Sequence, residues 1–291
     1  MKHNISIIIP AKNESEGLRK ILPALRNFFP EDEILVVNDG STDDTVKVCE
    51  SFSVKVISHN YSKGNGASIK SGARLATGDI FVFMDADGQH SPEEIRKLLD
   101  ELEHGYDMVV GARTMDSHAS IARGIANSFY NRFASWVSGH KVRDLTSGFR
   151  AVRAEKFRQF LYLLPNGFSY PTTITMAMFR AGYSISYVPV NVIDRVGKSH
   201  IRPLVDGLRF LLIIFRIGTL YSPLKIFAPV SLLFFITGIG YYIYTYYTLG
   251  RFTNMGTLLF IISILVFLIG LVSEQLTMLL YSDSQDGRNR Q

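Results

Sequence analysis

Two aspartates stand one residue apart in Asp85-Ala86-Asp87, directly after the apolar run Ile80–Met84. Side chains two positions apart on an extended chain point to the same side. The spacing therefore predicts two carboxylates facing one point, where they repel unless a cation lies beside them. A hard divalent cation, Mg²⁺ or Mn²⁺, that fills its shell with substrate phosphates and water suits such a pair. Gln89 offers a further carbonyl oxygen. The alternative is that both aspartates only shape the loop through side-chain turns.

Two more polar clusters follow apolar runs. Pro10-Ala11-Lys12-Asn13-Glu14-Ser15 comes after Ile5–Ile9, and Asn38-Asp39-Gly40-Ser41-Thr42-Asp43-Asp44 closes Glu33–Asn38. The elements that must position them alternate. Strands are expected at Ile5–Ile9, Glu33–Asn38, Val54–His59, Ile80–Met84 and Met108–Gly111, and helices near Glu16–Phe28, Asp43–Ser51, Ala67–Ala76 and Pro92–His104. Ser91-Pro92 reads as an N-cap with proline at the first helical position. Repeated β-α-β units imply an α/β fold, a mainly parallel sheet with helices on both faces, and ligands bind off the carboxyl ends of such strands. No G-x-G-x-x-G follows the first strand and no G-x-x-x-x-G-K-[ST] occurs, which argues against dinucleotide-dependent dehydrogenases and P-loop NTPases.

The composition divides the chain. Fifty charged side chains fall in the first 222 residues and seven in the last 69. Ile226–Leu249 and Phe252–Ser273 are uncharged runs of 24 and 22 residues. At 1.5 Å per residue each reaches about 33–36 Å, enough for a hydrocarbon core of about 30 Å. The link Gly250–Met255 is short, so a transmembrane hairpin is expected, with tyrosines 241, 242, 244, 246 and 247 as interfacial aromatics. Arg209, Arg216, Lys225, Arg288 and Arg290 flank the hairpin against Arg251 in its loop. The excess puts both termini and the first domain on the cytoplasmic side. Ile5–Ile9 is too short for a signal peptide's apolar region, and one cysteine, Cys49, excludes a disulfide scaffold. The net charge of +5 favours anionic partners.

With these features in place a resemblance becomes specific. IIIPAKNES, VVNDGSTDDT, Lys63-Gly64-Asn65-Gly66-Ala67 and FMDADGQHSPEEI together resemble a family-two glycosyltransferase of GT-A fold. Asp144-Leu145-Thr146-Ser147-Gly148-Phe149-Arg150, then Arg195-Val196-Gly197-Lys198-Ser199-His200 and the hairpin, resemble the dolichyl- and polyprenyl-phosphate sugar synthases. The resemblance implies inverting transfer of a hexose from a nucleotide sugar, of GDP-mannose or UDP-glucose type, to a polyprenyl phosphate at the membrane, with no nucleic-acid partner.

It further implies that Pro10, Ala11, Asn13, Glu14, Asp39, Lys63 and Gly64 contact the nucleotide. Asp85, Asp87 and Gln89 would hold the metal and the donor diphosphate. Arg113, Arg123, Ser147, Arg195, Ser199, Arg202 and Arg209 would serve the acceptor phosphate or lipid, with Asp144 orienting that end. Asp39 and Asp144 as turn-formers, and Lys63 as surface charge, stay open. An ionised phosphate needs charge neutralisation more than a strong base, so Asp87, Asp144 and Arg123 are the expected catalytic set. Two departures leave the donor sugar open: His200 stands where relatives often carry lysine, and Pro171-Thr172-Thr173 where many carry a glutamate.

Ile121, Ile125, Phe129, Phe133 and Trp136 recur at helical spacing, as an interfacial amphipathic helix or a core-facing one. Arg202, Arg209 and Arg216 fall seven apart, a cationic stripe suited to lipid phosphates. The expected organisation is a GT-A domain over residues 1–202, a juxtamembrane helix over 203–222, the hairpin over 223–282 with helices at 226–249 and 254–279, and a tail over 283–291. A processive synthase, a transferase with another acceptor, and a silent lipid-binding scaffold of the same fold are the alternatives. A nucleotidyltransferase fits less well, because no glycine-rich loop follows the first strand.

Overall fold

The computed structural model describes residues 4–113, 121–167, 169–191 and 221–286, together with 215, 218 and 219. Side chains are described over the same residues except 121–127 and 280–286. The first part alternates β1 (Ile5–Ala11), α1 (Ser15–Phe28), β2 (Glu33–Asn38), α2 (Thr45–Ser51), β3 (Lys55–Ser58), α3 (Asn65–Leu75), β4 (Ile80–Phe83), α4 (Pro92–Glu103) and β5 (Met108–Arg113). There follow α5 (Ile121–Ser138), β6 (Arg150–Arg153), α6 (Ala154–Arg158), α7 (Tyr170–Arg180), β7 (Ile185–Val190), α8 (Pro223–Leu249) and α9 (Asn254–Asp286). The chain divides into two compact units, Met1–Trp136 with His140–Pro203, and Val137–Gly139 with Leu204–Gln291.

In the first unit seven strands form one sheet in the order β3-β2-β1-β4-β6-β5-β7. The pairs are parallel except those of β6, which runs antiparallel to β4 and β5. Ile7, Ile8, Ile9, Val36, Val37, Phe81, Val82 and Phe83 are fully buried. Continuous apolar strands of this kind need cover on both faces. The cover on one face comes from α1, whose Leu18, Ile21, Leu22 and Leu25 join the core with Ile95 and Leu98 of α4.

Strands β6 and β7 have no counterpart in the sequence reading. β6 is only Arg-Ala-Val-Arg, and its charged ends conceal a strand whose middle is fully buried. Its direction matters for the site. Because β6 is antiparallel, its N-terminal end lies at the sheet edge where β4 and β5 end, with Arg150 opposite both Phe83 and Val110. The stretch Asp144–Phe149 is thereby carried to the edge that holds the other polar clusters.

In the second unit α8 and α9 form an antiparallel pair, each long and apolar enough to cross a membrane, with mean hydropathy 1.9 over Pro223–Leu249 and 2.8 over Asn254–Leu279. Small residues recur at intervals of seven on both helices, Ser231, Gly238 and Thr245 on α8 and Gly256, Ser263, Gly270 and Thr277 on α9, and all seven are buried. A repeat of seven keeps one seam facing the partner helix, and small residues let helix backbones approach closely in lipid. Ser231 and Ser263 exchange hydrogen bonds, each Oγ donating to the other's carbonyl oxygen at 2.9 Å. Gly238 lies against Phe260 and Gly270 against Phe227. Leu233, Ile236, Ile264 and Leu268 face outward, uncovered by protein.

Candidate active site

The ends of β1, β2 and β4 and the stretch before β6 enclose a cavity of about 420 Å³. Pro10, Ala11, Glu14, Asp39, Gly64, Asp85, Asp87, Gln89, Arg113 and Ser147 line it together. At one end stands Asp39, buried, with two donors on each carboxylate oxygen. His59 Nδ1 and the Lys63 N–H lie 2.8 Å from Oδ1, and Ser62 Oγ and the Gly64 N–H lie 2.8 Å from Oδ2. Burial raises the Asp39 pKa, but these bonds, led by His59, outweigh it and hold the carboxyl down at about 2. His59 is itself buried and reaches Ser71 Oγ through Nε2 at 2.9 Å. Asp39 thus both lines the cavity and ties the 61–64 loop to β2.

The acidic pair lies near the middle. Strand β4 ends at Phe83, so Asp85 and Asp87 sit in a turn and not on a pleated strand. The turn, with Gly88 at φ +73° and the Gln89 N–H donating to Asp87 Oδ1 at 3.2 Å, brings both aspartates to the cavity. Gly17 of α1 backs this turn: a Cβ there would lie 2.0 Å from the Ala86 carbonyl oxygen. Gly148 closes it from the other side, since a Cβ there would lie 3.1 Å from Asp85 Oδ2.

Asp85, Asp87 and Gln89 form an all-oxygen donor set, which fits a hard divalent cation. No group of three or more His, Cys, Asp or Glu side chains comes together among the described residues. A cation held here would therefore take part of its shell from ligand oxygens or water.

At the far end Arg113 and Asp144 form a fork, Nε to Oδ2 at 2.8 Å and Nη2 to Oδ1 at 3.0 Å. Asp144 is buried and also accepts the Thr146 and Ser147 N–H groups at 3.1 Å. One carboxylate thus both holds the Arg113 guanidinium and caps the turn that leads through Thr146 and Ser147 to Gly148. Burial raises the Asp144 pKa, and the Arg113 bonds and charge bring it below the usual carboxylate range. Burial lowers the Arg113 pKa, and Asp144 more than restores it. Both groups are charged at neutral pH.

Other expected residues lie elsewhere. The Asn13 side chain is not part of the cavity wall; its Oδ1 accepts the Thr42 N–H at 2.8 Å and so fastens the β1 end to the β2 end. The Lys63 ammonium rests 5.6 Å from the Tyr61 ring centroid, and only its backbone reaches Asp39. Arg123 lies on α5 with its side chain outside the described residues, and Arg195, Ser199, Arg202 and Arg209 lie outside them altogether.

The sequence reading missed several cavity residues. Lys12 reaches Ser62 Oγ at 3.0 Å, and Ser62 in turn donates to Asp39. His90 lines the cavity stacked on Phe149, 4.3 Å between centroids. Burial first, then the Arg113 charge, lowers its pKa to about 4, so its imidazole is neutral. Lys12 stands inside the PAKNE motif and His90 directly follows DADGQ, which was the signal available.

A parallel sheet with one reversed strand and an acidic turn at the end of its central strand is the architecture of a GT-A transferase. The chain belongs to glycosyl transferase family 2, whose model matches residues 6–161, and a second model, the GtrB C-terminal hairpin, matches residues 222–279. It is 28% identical to the glycosyltransferase AglJ of Haloferax volcanii over 84% of this chain and 81% of that protein. It is 33% identical to the undecaprenyl-phosphate mannosyltransferase of Micrococcus luteus over 66% of this chain and 85% of that one. Among solved structures, glucosyl-3-phosphoglycerate synthase from Mycobacterium tuberculosis, in complex with Mn²⁺, uridine diphosphate and phosphoglyceric acid, shares the fold. The TM-score is 0.61 at 20% identity, over 74% of this chain and 78% of that one.

Proposed function

We propose that this glycosyltransferase moves one hexose from a nucleotide sugar to a polyprenyl phosphate at the cytosolic membrane face. The observation that carries the reading is the single cavity running from Asp39, through Asp85 and Asp87, to the Arg113–Asp144 fork. The mannosyl transfer to undecaprenyl phosphate named for the Micrococcus luteus relative supports the substrate classes. The Mn²⁺ in the mycobacterial structure supports a divalent cation.

In this reading the base and ribose lie toward Asp39, Pro10, Ala11 and Gly64, and Asp85, Asp87 and Gln89 are the residues that would hold Mg²⁺ or Mn²⁺ for the diphosphate. A bound cation neutralises charge on the departing diphosphate. Arg113, aimed by Asp144, meets the acceptor phosphate with Ser147; Arg123, Arg195, Ser199, Arg202 and Arg209 are assigned to the same end or to lipid headgroups. A phosphate oxygen of the acceptor attacks the anomeric carbon, the bond from that carbon to the diphosphate oxygen breaks, and the configuration inverts. The acceptor phosphate is already ionised near neutral pH, so no residue needs to take a strong base's role.

Helix α5 is assigned to the bilayer interface, because Phe129 and Trp136 are 62% and 51% exposed at helical spacing, with Arg132, Lys141 and Arg143 exposed nearby. The proposed organisation remains residues 1–202, 203–222, 223–282 and 283–291, with both termini cytoplasmic. The test is nucleoside diphosphate release by purified protein over a donor panel with Mn²⁺ or Mg²⁺. Release that depends on added polyprenyl phosphate is expected with at least one donor. Release indifferent to the lipid, or none from any donor, overturns the proposal.

A further inference from the structure

Arg150 opens β6 and is completely buried. Among the described residues its direct partners are all uncharged. Its guanidinium donates to the carbonyl oxygens of Ser147 and of Pro171, the latter at 3.1 Å, and to Thr175 Oγ1 at 3.2 Å. The Tyr170 ring centroid lies 5.9 Å away, and Nε has no partner among the described residues. A buried cation without a carboxylate is costly, and an arginine cannot escape the cost by losing its proton. Burial accordingly lowers its pKa. The groups that oppose that shift are Tyr170 and Tyr187, then Asp144 and Asp85. Asp144 already has its own cation in Arg113. Asp85 acts on the Arg113 charge as well as on Arg150.

The geometry joins Arg150 to Asp85 in two steps. Arg150 holds the Ser147 carbonyl, and the next residue, Gly148, packs on the Asp85 carboxylate. Tyr170 Oη donates to the Gly148 carbonyl at 3.3 Å and secures the same turn. In the sheet Arg150 pairs with Phe83, two residues before Asp85.

We infer that Arg150 is a positioning residue of the transfer site: its fixed charge, set beneath the acidic turn, loosens the hold of Asp85 and Asp87 on the divalent cation and favours the diphosphate that departs. The inference rests on the metal-binding reading of Asp85 and Asp87. When the anomeric C–O bond breaks, the diphosphate oxygen keeps the electron pair, so the free nucleoside diphosphate carries one more negative charge than its sugar ester. A buried positive charge favours that state over the ester, and low dielectric carries its field through the turn.

The two effects have opposite signs, which separates them from a plain packing role. Mn²⁺ affinity is read by electron paramagnetic resonance on the whole protein with Mn²⁺ alone, and turnover is read with donor and acceptor. Arg150→Met is expected to bind Mn²⁺ about three- to tenfold more tightly, while turnover falls roughly tenfold or more. Arg150→Lys, which keeps the charge, is expected to hold Mn²⁺ within about twofold of the wild type. If Arg150→Met does not fold, Arg150→Gln, which retains donors for the Ser147 carbonyl, carries the same expectation. Equal or weaker Mn²⁺ binding in a folded variant without the charge overturns the inference. Wild-type protein that binds no Mn²⁺ overturns the reading of Asp85 and Asp87 instead.

Discussion

At the residue scale the site separates charges that act from charges that organise. Asp87 is assigned to the cation, and Asp87→Asn keeps the shape of the turn while removing a charge. Turnover is expected to fall about a hundredfold or more with little change in melting temperature; turnover near wild type would remove Asp87 from the mechanism. Asp39 organises. Its folded pKa of about 2 lies below the ordinary 3.8, so its stabilisation is present above the unfolded value and is lost as pH falls through the folded one. Melting temperature should therefore drop between about pH 4 and pH 2. Glu33, Asp43, Asp107 and Asp144 are lowered too and add to that slope. Asp39→Asn should flatten part of the slope in a pH series of thermal melts, and an unchanged slope would contradict the assignment. The acidic pair was legible in the sequence because it sits in a motif after a strong strand. His59 was not, since a lone histidine 20 residues from Asp39 carries no pattern until β2 and β3 pair.

At the element scale the site depends on how closely α1 and the β6 connection approach the acidic turn. Gly17→Ala would set a Cβ 2.0 Å from the Ala86 carbonyl oxygen. Overpacking of this kind costs about 1–3 kcal/mol, and here the strain falls on the turn that carries Asp85 and Asp87. Lower melting temperature together with weaker Mn²⁺ binding is expected. Gly240→Ala serves as a control, since nothing lies within 4 Å of its Cβ position; equal effects of the two changes would refute the close-packing account.

In the hairpin, Gly270→Leu must displace Phe227, whose Cβ lies 2.7 Å from the Gly270 Cβ position. Faster proteolysis of the hairpin in detergent would follow from a seam built on small residues, and an unchanged rate would not. Five of the six parallel strands, β1 to β5, and the helices between them could be read from apolar runs of ordinary length. β6 could not, because four residues with arginine at each end carry no alternation, and its reversed direction comes only from the sheet around it. Ala11 and Arg113 extend β1 and β5 past their apolar runs for the same reason: strand pairing outlasts the hydrophobic signal.

On the scale of the whole molecule, the 20% charge fraction is an average over two different parts, and the split between them was visible from composition alone. The seven-residue spacing of small residues on both apolar runs was equally visible in the sequence but gains its meaning only when the helices are placed side by side. The proposed topology, two crossings with both ends cytoplasmic, predicts that Thr253→Cys, in the hairpin loop, reacts with an impermeant maleimide added to intact cells. Ser284→Cys is expected to react only after permeabilisation, and the reverse pattern would invert the topology. Cys49 is buried and should not compete for the label.

Transfer of a single sugar to a polyprenyl phosphate is tested most directly by the mass of the lipid product. Purified protein incubated with polyprenyl phosphate, Mn²⁺ and its preferred nucleotide hexose should yield one new lipid, heavier than the acceptor by one hexose residue, and none with Asp87→Asn. A ladder of products, or a sugar found only on a non-lipid acceptor, would contradict the account.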